Sequence, residues 1–154
     1  MAGNTDPIYS RAGDIQASSL AAATLLGPTA NTAQDGTGTI YPIFTADATN
    51  GGYIQKLVFE SITSPAATVC RIFHCDTTPT VTSGALVSNT SLNTHKIGEI
   101  SLPSVTVSQT AAAPHLEYQL NLALPPGHRI CVAFGTSTGV STTGWAVVGI
   151  GGKY

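Results

Sequence analysis

The sequence predicts an all-β protein, an antiparallel β-sandwich or jelly-roll-like barrel preceded by an extended N-terminal arm. From residue 37 onward, about seven short apolar and β-branched runs are separated by Gly, Pro, Asn and Ser turn signals. None of these runs repeats its apolar residues at a helical period. The 154 residues are enough for one domain. We therefore assign residues 1–34 to the arm and residues 35–154 to the sandwich.

The turn signals predict the first strands in order. Residues 39–46 form a strand that Pro42 places at an edge or a bulge, because proline cannot donate to a β-ladder. The Asn-Gly-Gly turn at residues 50–52 leads into a long strand over residues 53–62. Residues 67–74 form the next strand.

A polar stretch over residues 76–94 then separates this strand from the following one. Its apolar residues are few, namely Val81, Leu86, Val87 and Leu92. Loops of this length are usually functional or bound to a partner, so we expect one of these two roles.

Four further strands complete the predicted sandwich. Residues 96–102 form one, and the clearest pattern follows at residues 116–124, where apolar and polar residues alternate. A Pro-Pro-Gly turn at residues 125–127 leads to a strand at residues 129–134. The last strand covers residues 145–150.

The composition points to an assembly subunit. Only 9% of the chain is charged while 42% is hydrophobic, and ordinary soluble domains are about 25% charged. A net charge of -2 gives no basic patch for phosphate groups, so we expect no nucleic-acid partner. The apolar run at residues 20–26 is too short to cross a bilayer, so we also expect no membrane segment and a protein that folds in the cell without export.

The N-terminal arm is the predicted partner-binding element. A mobile tail would also fit its composition, but its apolar residues are more numerous than a solvated tail needs. Their spacing is too irregular for an amphipathic helix, so we predict that the segment before Gln34 packs on a neighbouring subunit as an extended strap. These residues are Ile8, Tyr9, Ile15, Leu20, Leu25 and Leu26.

Three cysteines are too few, and odd in number, for a disulfide framework. We predict that Cys70 and Cys131 are core thiols and that Cys75, at a strand end, tolerates substitution by serine. A metal site from Cys70, His74 and Cys75 is disfavoured, because Cys75 points to the opposite strand face. We expect neither a metal nor another cofactor.

Two patterns suggest catalysis, and both have simpler interpretations. Residues 135–139 match the Gly-x-Ser-x-Gly nucleophile elbow around Ser137, but a strand follows where the elbow requires a helix. His115 and Glu117 share a strand face, which is more typical of polar lining than of a catalytic dyad. We expect no enzyme, and we keep a hydrolase that uses either group as a distant hypothesis.

The aromatic residues Tyr41, Tyr53, Trp145 and Tyr154 allow a further alternative. Aromatic faces on a β-sandwich can form a platform on which sugars stack, although singly spaced aromatics are more often core residues.

Three sequences carry a resemblance to a known group of proteins. They are Asn-Thr-Ala-Gln-Asp-Gly-Thr-Gly-Thr at residues 31–39, Leu-Pro-Pro-Gly-His-Arg-Ile at residues 124–130, and the ending at residues 144–154. Together they resemble small virion proteins of tailed phages and prophages over residues 31–154. Members of that group usually end in Gly-Gly-Asp-Tyr, whereas Lys153 replaces the aspartate here.

The resemblance implies a non-enzymatic capsid decoration, or cement, protein. Such a protein would be made in the host cytoplasm, bind the major capsid protein on the exterior of the virion and act as a homotrimer. The alternative is a tail or fibre-associated virion protein that binds a host-surface glycan. A cement protein should expose an apolar arm and a weakly charged base, whereas a glycan binder should expose an aromatic cluster.

Overall fold

The computed structural model describes residues 12–17, 26, 29–138 and 144–154, and these residues form β-strands without a helix. The predicted all-β class is therefore confirmed. The described residues contain no apolar helix that could reach across a membrane. The strands are β1 (Ala12–Ala17), β2 (Tyr41–Thr45), β3 (Gly52–Ser61), β4 (Thr68–Cys75), β5 (Thr80–Thr82), β6 (Ala85–Val87), β7 (Thr94–Leu102), β8 (His115–Leu124), β9 (Arg129–Phe134) and β10 (Trp145–Lys153).

Eight of these strands form two four-stranded antiparallel sheets. Sheet A has the order β1-β10-β3-β8 and sheet B the order β2-β9-β4-β7, while β5 and β6 form a separate hairpin. The pairing is nested along the chain, because β1 pairs with β10, β2 with β9, β3 with β8 and β4 with β7. The predicted β-sandwich is confirmed by these two packed sheets.

The core lies between the two sheets and follows the alternation of their strands. Val147 points inward from β10, and Phe44 of β2 is fully buried opposite it in the same cluster. A Cβ placed on Gly149 would lie 3.0 Å from the Phe44 Cβ, so the missing side chain gives this ring its room. Burial of such rings and aliphatic side chains is the main stabilising contribution to the fold.

A second apolar cluster covers the outer face of sheet B. Leu86 of β6 packs here, and its backbone nitrogen donates to the Ile40 carbonyl at 2.8 Å. The predicted long loop at residues 76–94 therefore contains the β5-β6 hairpin, whose two strands of three residues each are too short for an alternation signal. The remaining members of the cluster are Phe73, Cys75, Cys131 and Ala133.

The first described strand corrects the prediction for the N-terminal segment. β1 pairs along its whole length with β10, and the Gln16 side chain bonds both the Thr45 nitrogen (2.9 Å) and the Thr45 carbonyl (2.8 Å). Leu26 is fully buried, and its backbone exchanges two 3.1 Å hydrogen bonds with Trp145. Leu26 and β1 are thus parts of this chain's own sandwich, and the expectation that Leu26 contacts a partner was wrong.

The sequence did not predict β1 because this strand is stabilised by a tertiary contact, its pairing with β10. The sequence Ala-Gly-Asp-Ile-Gln-Ala has low strand propensity, but the edge of β10 supplies hydrogen-bond partners for its backbone. The partner contacts predicted for the other arm residues stay predictions, because these residues lie outside the described residues. They are Ile8, Tyr9, Leu20 and Leu25.

The loop at residues 31–39 also belongs to the sandwich, and Asn31 organises it. The buried Asn31 side chain donates from Nδ2 to the carbonyls of Thr37 (2.9 Å) and Thr39 (3.0 Å). The Asn31 nitrogen donates to the Phe134 carbonyl at 2.8 Å, and Arg71 Nη1 donates to the Asn31 carbonyl at 2.7 Å. Asn31 therefore fixes the loop at residues 31–39 onto sheet B.

All three cysteines are buried and free. Burial raises the pKa of the Cys70 thiol well above its usual range, as expected for a core thiol. Cys75 is fully buried too, and its Sγ lies 3.0 Å from Cys131 Sγ on the neighbouring strand. Cys75 does end β4 as predicted, but the second apolar cluster covers that end, so the structure argues against the expected tolerance of serine there.

We expect Leu26→Ala to lower the free energy of unfolding by about 2–5 kcal/mol, because it leaves a cavity in the core. Ile15→Ala is the matched control: Ile15 is 70% exposed, so its truncation should cost at most about 0.5 kcal/mol. Urea denaturation followed by tryptophan fluorescence measures both. Equal losses would contradict the assignment of Leu26 to the core.

Cys75→Ser and Cys131→Ser should each destabilise the fold by about 1–3 kcal/mol, because each buries a hydroxyl in an apolar cluster. Cys75→Ala is the control, since it removes the sulfur without adding a polar group and should cost less than Cys75→Ser. Thermal unfolding compares the variants. A Cys75→Ser variant as stable as the parent would show that water reaches position 75.

Candidate assembly surface

The outer face of sheet A carries a stripe of apolar side chains. In the antiparallel register, Ile15 of β1 lies opposite Ile150 of β10, and Ala17 lies opposite Val148. Because Val147 belongs to the core between the sheets, its neighbour Val148 points outward, as does Ile150 two residues later. Ile15, Ala17, Val148 and Ile150 form what we call the apolar stripe.

The apolar stripe is open where the equivalent face of sheet B is covered. Ile15 is 70% exposed, and Ala17, Val148 and Ile150 are half-buried. The β5-β6 hairpin contributes Leu86 to the cluster on sheet B, whereas the strand contacts of residues 12–17, 26, 29–138 and 144–154 place no strand over the stripe. Exposed apolar side chains grouped in this way are typical of a surface that a partner buries.

A polar network adjoins the stripe on β3 and β8 of the same face. Lys56 Nζ lies 2.6 Å from Glu117 Oε1, and the same oxygen lies 3.0 Å from His115 Nε2. His115 Nδ1 contacts Glu60. We call Lys56, Glu60, His115 and Glu117 the charged strip, and it places a polar border beside the apolar stripe.

Contacts within the charged strip shift the pKa values of His115 and Glu117. Hydrogen bonds to Glu117 and Glu60 raise the pKa of His115, because both favour the imidazolium form. Lys56 and then His115 lower the pKa of Glu117. Both ring nitrogens of His115 are engaged by carboxylates.

The structure gives Ser137 a different setting from that of a nucleophile elbow. Ser137 follows β9, which lies between two antiparallel neighbours in sheet B, and an elbow belongs to a parallel α/β sheet. The last residue of the motif, Gly139, lies outside the described residues. This antiparallel setting supports the prediction that the sequence match is accidental.

Sheet B separates two of the cysteines that the disfavoured metal site would need. Cys70 lies in the core cluster and Cys75 in the cluster on the opposite face of sheet B. Among the described residues, no three His, Cys, Asp or Glu side chains converge as metal ligands would.

His74 instead pairs with a histidine that is distant in sequence. His74 Nε2 lies 2.9 Å from His128 Nδ1, and the two rings stack with centroids 5.0 Å apart. Burial, then His128 and His95, lower the pKa of His74, because all three disfavour a positive charge there. Sequence reasoning missed this pair, since no local signal links residues 54 positions apart.

The predicted aromatic residues do not gather on one surface. Trp145 is fully buried, and Tyr41 packs against the core. Tyr53 lies on the sheet A face, where its hydroxyl donates to Asn121 Oδ1 at 2.8 Å. The four-residue stacking platform, to which Tyr154 would also belong, is therefore not formed.

Lys153 has a structural partner at the position where the resembling proteins have aspartate. Its Nζ lies 3.8 Å from Asp14 Oδ2, between the neighbouring strands β10 and β1. An aspartate at position 153 would instead place a second negative charge near Asp14. The contact between Lys153 and Asp14 thus joins two paired strands.

The sequence predicted a strand at residues 145–150, but it did not show that Val148 and Ile150 belong to an apolar surface. That surface is formed only when β1 pairs with β10 and places Ala17 beside Val148 and Ile15 beside Ile150. The signal that could have found them is that two outward positions of one strand are β-branched.

We expect His115→Gln to reduce stability more at pH 5.5 than at pH 8.5. A raised folded-state pKa stabilises the fold fully below the unfolded value, near 6.5, and this stabilisation is lost as the pH rises through the folded value. Melting temperatures of parent and variant at the two pH values give the measurement. Ser101→Ala, at an exposed position of β7 in the other sheet, is the control, and its effect should not depend on pH. An equal effect of His115→Gln at both pH values would contradict the charge interaction.

No protein-family model, curated protein or solved structure matches the chain. The arrangement of its own side chains therefore carries the functional argument.

Proposed function

We propose that this protein is a phage capsid decoration protein that binds the major capsid lattice on the exterior of the virion. In this proposal three copies associate and the apolar stripe on sheet A faces the capsid. The protein carries out no catalysis in this role. It stabilises the particle by adding contacts between neighbouring capsid subunits.

The apolar stripe is the observation that carries the proposal. It joins Ile15, the most exposed of its members, to Val148 and Ile150 on a sheet face without a covering strand in the described residues. Removing such side chains from water contributes about 25 cal/mol per Å² of apolar area. Repeated over many copies on one lattice, modest contacts of this kind give strong attachment through avidity.

The charged strip supports the same orientation. Interfaces commonly have an apolar centre and a polar border, and Lys56, His115 and Glu117 supply such a border along one side of the stripe. Their charges largely compensate one another, so the border can approach a partner surface with little unpaired charge.

The strand order supports a jelly-roll architecture for the proposed virion protein. Eight strands paired first with last, second with second-last and so on, in two four-stranded sheets, follow the wiring of a jelly roll. This architecture is common to viral capsid and lectin domains, so it is compatible with a capsid role and with glycan binding.

The position of the aromatic side chains favours the capsid role over the glycan role. A sugar-binding platform needs exposed aromatic faces, and Trp145, the largest aromatic residue, is fully buried in the core. The alternative of a tail or fibre-associated glycan binder therefore has less support than decoration of the head.

Antibody-gold labelling of purified particles tests the location directly. We expect the label on the capsid, distributed over its surface. Label restricted to the tail or its fibres would overturn the proposal and favour the glycan-binding alternative.

We expect the double variant Ile15→Lys/Val148→Lys to occupy capsids about 10-fold to 100-fold less well than the parent, because two lysines would be desolvated in the interface. Ile62→Lys is the matched control, since Ile62 is 58% exposed and lies outside the stripe. Sedimentation of the variants with capsids that lack the protein measures occupancy, and circular dichroism verifies the fold. Equal occupancy by the double variant and the control would rule out the stripe as the contact surface.

A further inference from the structure

Leu92 is the most exposed large apolar side chain of the described residues, with 86% of its surface accessible. It lies in the loop that joins the β5-β6 hairpin to β7, an edge strand of sheet B. A leucine this exposed gains little from burial among the described residues.

Hydrogen bonds hold the loop around Leu92 in place. Asn93 Oδ1 accepts from the Thr90 nitrogen at 2.7 Å, and Asn93 Nδ2 donates to the Ser88 carbonyl at 3.1 Å. Asn89 Nδ2 donates to the carbonyls of Gly36 and Gly38, at 2.8 and 2.9 Å, which ties the loop to residues 31–39. Leu92 is therefore presented on an ordered loop, which lowers the entropic cost of inserting it into a partner.

An apolar groove lies at the opposite end of the same pair of strands. Its volume is about 560 Å³, and its apolar lining residues are Ala67, Val69, Pro103 and Leu102, the last of which is almost fully buried. Thr68 and Thr136 also line it, but their polar atoms already bond one another or backbone carbonyls. A groove with these properties favours an aliphatic side chain over a polar ligand.

The position of the two features prevents them from meeting in one chain. Thr68 pairs with Leu102 at the groove end of β4 and β7, and Cys75 pairs with Thr94 at the Leu92 end. Strands rise about 3.3 Å per residue, so the ends lie about 25 Å apart. A second copy arranged head to tail can bring Leu92 of one molecule to the groove of the next.

Charges beside the two features are complementary. Arg71 lines the groove. Its Nη1 donates to the Asn31 carbonyl and Glu99 lies opposite it in the register, but none of the ion pairs among the described residues includes Arg71. Asp35 is an exposed carboxylate next to Gly36, whose carbonyl binds the Leu92 loop through Asn89. In a head-to-tail contact, Asp35 of one copy and Arg71 of the next therefore carry opposite charges.

We propose that the protein self-associates head to tail, with Leu92 of each copy inserted into the Ala67–Val69–Leu102–Pro103 groove of the next. Such a heterologous contact closes into a ring when the rotation between copies permits it, and three copies form the smallest ring larger than a pair. The inference rests on the self-association in the proposed function and names the contact that produces it.

Two variants with opposite defects test the contact. Leu92→Asp removes the inserted side chain and keeps the groove, whereas Ala67→Trp fills the groove and keeps Leu92. We expect each variant alone to be monomeric by size-exclusion chromatography with light scattering, while the parent is a trimer. Leu122→Asp is the matched control, because Leu122 is an exposed leucine of β8, away from both features, and should leave the trimer intact.

Mixing the two defective variants distinguishes head-to-tail association from a symmetric pair. One intact Leu92 loop and one intact groove remain in the mixture, so we expect a 1:1 dimer that grows no further. A mixture that stays monomeric, or a Leu92→Asp variant that remains a trimer, would overturn the inference. Should Leu92→Asp unfold, Leu92→Ala adds no charge and is expected to raise the dissociation constant of the trimer about 10-fold or more.

The test of the head-to-tail contact and the test of the proposed function can fail independently of each other. A parent protein that is monomeric at micromolar concentration would overturn the head-to-tail contact, while gold label on the capsid would still support decoration. A trimer lost in Leu92→Asp together with label on the tail would support the contact and overturn the capsid role.

Discussion

The apolar stripe depends on the pairing of β1 with β10, the first described strand with the last. This pairing completes sheet A and brings Ile15 beside Ile150, so the apolar stripe exists only when both ends of the described chain are in place. Asp14 and Lys153 support the same pairing electrostatically. Because the nested pairs join residues far apart in sequence, loop-closure entropy opposes their formation until many contacts form together.

The two sheets differ in what covers their outer faces, and the proposed function rests on this difference. On sheet B, the β5-β6 hairpin and the loop that Asn31 organises bury Phe73 and both Cys75 and Cys131. On sheet A, the stripe around Val148 has no such strand over it in the described residues. A chain with only 9% charged residues has few means other than association to cover such a face.

The proposed contacts use separate parts of the molecule. The apolar stripe lies on sheet A, whereas Leu92 and the groove lie at the two ends of the β4-β7 pair in sheet B. A protein that binds a lattice and also its own copies needs such a separation, because one surface cannot be buried in two interfaces at once. Each contact can then be weakened by mutation while the other is preserved.

The sequence alone determined the fold class and most strand positions. The run at residues 129–134 coincides with β9, and the Pro-Pro-Gly turn precedes it as predicted, because alternation and turn chemistry are local properties. The assembling surface expected from the low charge stays a prediction. Only the tertiary structure decided that Ile15 lies on a sheet while Leu26 is buried in the core, since their partners, Ile150 and Trp145, are more than a hundred residues away. It likewise decided the burial of Cys75 and the pairing of His74, because packing between distant strands leaves no local pattern in the sequence.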